Sequence, residues 1–106
     1  MIFKDRLYKL DMLILSVLSN NDCTSETLTS ILNKHTHQLF DIKDGIVFSH
    51  LYYLETSLLI SSYIKDEDNY YHIESSGLVR LDMLKRQYYQ TVEEIDNIIN
   101  YQEDLK

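Results

Sequence analysis

Side chains able to do chemistry are few and scattered in this sequence. His35 and His37, with Asp41 and Cys23 as further donors, form the one grouping that invites a metal. Structural zinc sites gather four ligands in recurring spacings, and no such spacing is present, so no metal is expected. One cysteine and isolated serines without a nucleophile motif point away from an enzyme, and no cofactor is expected. The remaining chemistry is that of a surface. Val47, Leu51, Leu54 and Leu58 recur at helical spacing, and Ile46, Ser49, His50 and Tyr53 fall on the other face. Hydroxyls and an imidazole arranged this way can meet nucleic-acid bases or phosphates, although none makes the bidentate guanine contact of arginine. Lys43 and Lys65 flank the stretch, and Tyr70 can bring a hydroxyl to a phosphate backbone. The competing reading is a plain solvated helix face.

The elements that must position these residues follow from periodicity. A first helix is expected from Asp5 or Leu7 to Ser19, with Leu7, Leu10, Ile14, Val17 and Leu18 facing inward. A second begins at Thr24 or Ser25, turns Leu28, Ile31 and Leu32 inward, and fades near His35 to His37. The organising helix follows, within DIKDGIVFSHLYYLETSLLI at Asp41–Ile60. Gly45 is read as easing a tight start, with Asp41 and Asp44 offering carboxylates to free N–H groups. LLISSYI and YYHI, separated by Lys65-Asp66-Glu67-Asp68-Asn69, predict a hairpin. Its inner face would carry Ile60, Ser62 and Ile64 on one strand and Tyr71 and Ile73 on the other.

From Ser75 to about Glu103 one long helix is expected, with a stripe of Leu78, Leu81, Leu84, Tyr88, Val92, Ile95, Ile98 or Ile99, and Gln102. Such a helix is about 40 Å long, too long for the preceding residues to cover. A second copy is the simplest cover, so a homodimer joined through Leu81, Leu84, Tyr88, Val92, Ile95 and Ile99 is expected. Residues 1–74 would form the body and 75–106 the dimerisation helix.

Composition sets the bounds. With 106 residues, 44% hydrophobic and 25% charged, the chain has the make-up of a single soluble domain. No apolar run reaches a membrane span, and the amino terminus MIFKDRLYKLD mixes charge signs, so a cytoplasmic location is expected. The net charge is −7, and residues 41–72 hold six acidic side chains against two basic. Binders of nucleic acid ordinarily show a basic footprint. The basic residues outside this segment that could help are Lys4, Arg6 and Lys9.

The order of elements resembles the PadR (phenolic acid decarboxylase regulator) family of bacterial transcription regulators. LDMLILSVL at Leu10–Leu18 resembles its opening helix, and KDGIVFSHLYYLE at Lys43–Glu55 is similar to the signature S-P-G-T-L-Y-P-x-L-x-R-L-E. Gly45, Leu51, Leu54 and Glu55 match; Val47 and Phe48 stand for Leu and Tyr. YYHIESSG at Tyr70–Gly77 is similar to the segment leaving the wing. Asp44 and Ser49 replace prolines, Tyr53 an arginine and Asn69 a lysine, while the wing tip reads Asp66-Glu67-Asp68. The resemblance implies a mostly α-helical winged helix-turn-helix with a small β-hairpin, followed by the long dimerisation helix. It also implies a homodimeric regulator, a repressor by expectation, that holds operator DNA through its third helices and wings. A flat aromatic effector lodged at the dimer interface among Tyr8, Tyr88, Tyr89 and Tyr101 is compatible with it. The acidic reading segment supports an alternative, an adaptor or antirepressor that binds a basic protein.

Overall fold

The computed structural model describes residues 9–102; the expectations for Lys4, Arg6, Leu7, Tyr8 and Glu103 lie outside them. The described elements are α1 (Leu10–Asn20), α2 (Ser25–His35), α3 (Asp44–Thr56), β1 (Ile60–Lys65), β2 (Asp68–Ile73) and α4 (Ser75–Ile99). The chain is thus mostly helical with one two-stranded antiparallel hairpin.

α1 is the hub. Met12, Ile14, Leu15 and Leu18 are buried, and Leu10, Leu13 and Val17 pack against the same core. A helix surrounded by neighbours buries more than one stripe, so the inward set is wider than the period suggested. In α2, Thr24 caps the first turn by accepting the Thr27 N–H at 3.2 Å. Leu28 and Leu32 are buried, but Thr29 joins them while Ile31 is only half-buried.

Both α2 and α3 stop in the same way. At the end of α2, the His37 and Gln38 N–H groups donate to Lys34 and Asn33 carbonyls, with His37 left-handed. At the end of α3, Leu58 and Leu59 N–H groups donate to Glu55 and Leu54 carbonyls, with Leu58 left-handed at φ 64°. These are Schellman closures made without glycine. The second one corrects the expected stripe. Val47, Leu51 and Leu54 are 0% exposed, but the helix has ended before Leu58, whose side chain is 75% exposed. Leu59 turns into the core in its place.

The hairpin ladder runs from Ile60↔Ile73 to Lys65↔Asp68, so the loop is only Asp66-Glu67, both at positive φ. The strands are longer and the tip shorter than expected. Positive φ at both loop positions is type I′ geometry, which matches the right-handed strand twist. Ile60, Tyr71 and Ile73 are buried and Ser62 half-buried, as the alternation predicts; Ile64, out near the tip, is exposed. The Cys23 backbone pairs with Tyr71 across the other edge of β2, with N–H to O distances of 3.3 and 2.9 Å.

α4 starts on the body and leaves it. Gly77 and Leu81 are buried, Leu84 and Tyr88 pack on the core, and every residue from Glu93 to Gln102 is exposed. The described part of the molecule accordingly extends 69 × 28 × 23 Å. The helix ends at Ile99, where the Asn100 amide donates to the Asp96 carbonyl at 2.9 Å, so Gln102 lies past it. Gly77 is the glycine that packing requires: a Cβ there would run into the Leu59 carbonyl oxygen and Ile73 Cγ1.

Candidate nucleic-acid interface

α3 is held by its buried stripe and by polar tethers along its length. Before it, Asn33 clamps the backbone of Ile42: its amide donates to the Ile42 carbonyl at 2.7 Å and accepts the Ile42 N–H at 2.8 Å. Ile42 itself is buried, so this clamp fixes where the connecting loop ends. In the middle, His50 Nδ1 lies 2.6 Å from an Asp11 carboxylate oxygen of α1. A carboxylate only accepts, which places the imidazole hydrogen on Nδ1. At the far end, the Ser62 hydroxyl donates to Glu55 at 2.7 Å, joining α3 to β1.

These tethers decide which of the expected contact residues point outward. Ile46, Ser49 and Tyr53 are exposed, whereas His50 is half-buried and spent on Asp11, a scaffold role that helical spacing alone did not disclose. Lys43 is exposed but paired with Asp41 at 3.1 Å. That pairing also corrects the expected cap, since no side chain caps α3 and Asp41 instead turns the chain at φ 48°. Asp44 remains in the first turn, where a carboxylate suits the helix dipole. Gly45 meets nothing within 4 Å of a would-be Cβ and has no positive φ, so no local constraint asks for glycine there. The outward face also contains residues not singled out from the sequence: Phe48 and Tyr52 are 59% and 68% exposed, and Thr56 is exposed. Tyr52 and Thr56 lie away from the buried stripe and Phe48 flanks it, a signal that was available in the spacing. Between Gly45 and Tyr53 the outward face carries no charge.

The hairpin brings Lys65 and Tyr70 together. The Lys65 ammonium lies 5.8 Å from the Tyr70 ring centroid, and Tyr70 stacks on Tyr63 at 5.7 Å. The same sheet face is tied to the α1–α2 turn through Asp22. Its carboxylate accepts from the Tyr63 hydroxyl at 2.7 Å and from His72 Nδ1 at 2.9 Å. The bond from Tyr63, then the one from His72, holds the Asp22 carboxyl below its ordinary range, and the Asp22 bond raises the His72 imidazole. Burial pushes the neighbouring Cys23 thiol up, against any thiolate chemistry.

Among the described residues His35, His37, Asp41 and Cys23 form no metal-holding group. Cys23 precedes α2 and His35 ends it, with a helix about 16 Å long between them. No helix among the described residues is long and apolar enough to cross a membrane. Along α4, the stripe expected to join two copies divides. Leu81 is 6% exposed inside the chain's own core and Leu84 and Tyr88 are packed on it, while Val92 is half-buried and Ile95 and Ile99 open to solvent. Ile95, Ile98 and Ile99 line one groove with Gln87, Gln90 and Thr91. Tyr88 and Tyr89 meet edge to face at 5.2 Å, but Tyr101 lies beyond the helix, about 20 Å further along.

No protein-family model and no curated protein sequence matches this chain. Solved structures do. A transcriptional regulator from Clostridium thermocellum is 25% identical, with TM-score 0.75 over 86% of this chain and 89% of that one. A PadR-like transcriptional regulator from Bacillus cereus is 23% identical, with TM-score 0.79 over 88% and 93%. A PadR family transcription regulator from Clostridium difficile is 24% identical, with TM-score 0.71 over 87% and 98%. A body of helices with a hairpin wing, continued by a long last helix, gives this chain the winged-helix fold of the PadR-like transcriptional regulators.

Proposed function

We propose that this chain is a cytoplasmic, DNA-binding transcriptional regulator that acts as a homodimer and represses by occupying its operator. The observation that carries the reading is the presentation of α3: buried along one side, tethered at both ends and the middle, and open along the other beside a hairpin displaying Lys65. Two such helices would enter successive major grooves about one helical turn apart, with the hairpins on flanking phosphates. The uncovered Ile95, Ile98 and Ile99 give the second copy its seat. In this reading Tyr88 and Tyr89 line the wall of that interface, where a flat aromatic effector would stack.

The shortage of cations shapes the test. Lys43 and Lys65 from each protomer supply about four phosphate contacts, which predicts roughly a hundredfold loss of affinity from 50 to 200 mM salt, less than most DNA binders show. A gel shift on DNA upstream of the chain's own gene at low salt, with mass measured in solution, tests both parts. A specific shift by a dimer is the expected result; no shift, or a lone subunit at micromolar concentration, removes the proposal. A second reading, an adaptor or antirepressor for a basic protein, is favoured by the acidic Asp66-Glu67 tip and the uncharged α3 face. It predicts partner binding that survives removal of DNA.

A further inference from the structure

The composition of the open face of α3 specifies how it reads sequence, given the DNA-binding reading on which this inference rests. From Gly45 to Thr56 the exposed side chains are those of Ile46, Phe48, Ser49, Tyr52, Tyr53 and Thr56. The polar groups able to make a stronger base contact are half-buried and engaged by neighbouring elements, His50 Nδ1 by Asp11 and Glu55 by Ser62. Guanine is ordinarily read by arginine or lysine, adenine by the amide of asparagine or glutamine, and cytosine by a carboxylate. None of these stands on the open face. What it offers is apolar surface with hydroxyls between, and the base-edge group that apolar surface recognises in the major groove is the 5-methyl of thymine.

Gly45 adds an independent observation. It occupies the first turn of α3 on the open side, where nothing lies within 4 Å of a would-be Cβ and the backbone needs no glycine. A bare first turn lets the helix sit deep, bringing Phe48 and Ser49 one turn on, and Tyr52 a turn later, against the base edges.

We infer that α3 recognises its operator through thymine methyl groups, with Phe48 and Tyr52 as the side chains that cover them and Ser49 between. The site is therefore an A·T-rich half-site with thymines facing the same groove, not a G·C-rich one. Each methyl group removed from water contributes about fourfold in affinity, from roughly 0.8 kcal/mol per buried carbon.

The test selects bound duplexes from a random double-stranded pool with the full chain at low salt. Binding to the selected duplex is then compared with a version carrying deoxyuridine, which lacks the 5-methyl group, in place of thymidine. The expected result is an A·T-rich half-site and a loss of about fourfold per contacted methyl. Phe48→Ala and Tyr52→Ala, both at exposed positions, should bring the thymidine-to-deoxyuridine ratio close to one. The comparison with wild-type protein needs no variant, so a misfolded variant leaves it decisive. Equal binding of the two duplexes, or selection of a G·C-rich site, overturns methyl reading while leaving DNA binding intact. Failure to retain any duplex overturns both.

Discussion

Removing the Asn33 side chain should detach the loop that launches α3. The amide makes a pair of hydrogen bonds to Ile42, at 2.7 and 2.8 Å, satisfying both its carbonyl and its N–H as a β-partner would. A protein hydrogen bond contributes about 1 kcal/mol net, and a polar group stranded out of water costs 1–3 kcal/mol. Ile42 is buried and both hydrogen bonds are partly buried, so Asn33→Ala should destabilise by about 2 kcal/mol. For a domain of this size that is a fall in Tm of about 10 °C, measured at fixed protein concentration because assembly also shifts Tm. Asn33→Asp gives a sharper test. It keeps the acceptor for the Ile42 N–H but sets a carboxylate oxygen against the Ile42 carbonyl. The folded state then disfavours the ionised acid, raising its pKa above the ordinary value of about 3.9. With a raised folded pKa, stability is present at low pH and lost as pH rises through it. Asn33→Asp should resemble Asn33→Ala at pH 7 and recover toward wild type near pH 4. Urea titrations at the two pH values read this directly. An Asn33→Ala variant within about 0.5 kcal/mol of wild type would refute the clamp.

Replacing Asp66-Glu67 by Asn-Gly puts residues that favour positive φ into the type I′ loop, and should stabilise the fold by about 1 kcal/mol in thermal denaturation. The same change removes both acidic side chains of the loop, so under the proposed DNA-binding function affinity for DNA should rise in a low-salt titration. Gly77→Ala should cost more than 3 kcal/mol, because the backbone carbonyl of Leu59 cannot yield as a flexible side chain would; unchanged stability would mean that α4 seats differently. The His72–Asp22 pair sets a pH window. His72, raised above its ordinary 6.5, stabilises below that value and loses the contribution as pH rises through its folded pKa. Asp22, lowered from 3.8, contributes above that value and loses it as pH falls. Wild type should therefore exceed His72→Gln between about pH 4 and 6.5 and converge with it by pH 8. His72 is exposed and Asp22 half-buried, so water screens the pair and the difference should stay below about 1 kcal/mol.

The helices and hairpin were legible because each buries one face, and Val47, Leu51 and Leu54 sit on the stripe their spacing drew. What period alone could not supply was where a stripe stops being helix. Leu58 keeps the rhythm of α3 but falls beyond a Schellman closure that has no glycine to announce it. Nor did spacing reveal that His50 is half-buried against α1, since its partner Asp11 is 39 residues away. Asn33 gave no signal at all: an asparagine near a helix end reads as a stop, and its grip on Ile42 depends on the path of the loop. Along α4 the reverse held. One unbroken apolar rhythm concealed a change of neighbour, from the chain's own core at Leu81 to open solvent at Ile99.

The seat of Gly77 on Leu59 makes α4 a lever whose fulcrum is backbone against backbone, in the short segment between the end of α3 and the start of β1. The arm from Gly77 to Ile99 is about 33 Å long, so tilting it by about 5° at the fulcrum swings the far tip by about 3 Å. In the proposed dimer, joined near those tips, the gap between the two α3 helices would be dictated by a joint with no side chain to compress. Operators whose half-sites are set one base pair too near or too far should therefore meet a stiff frame.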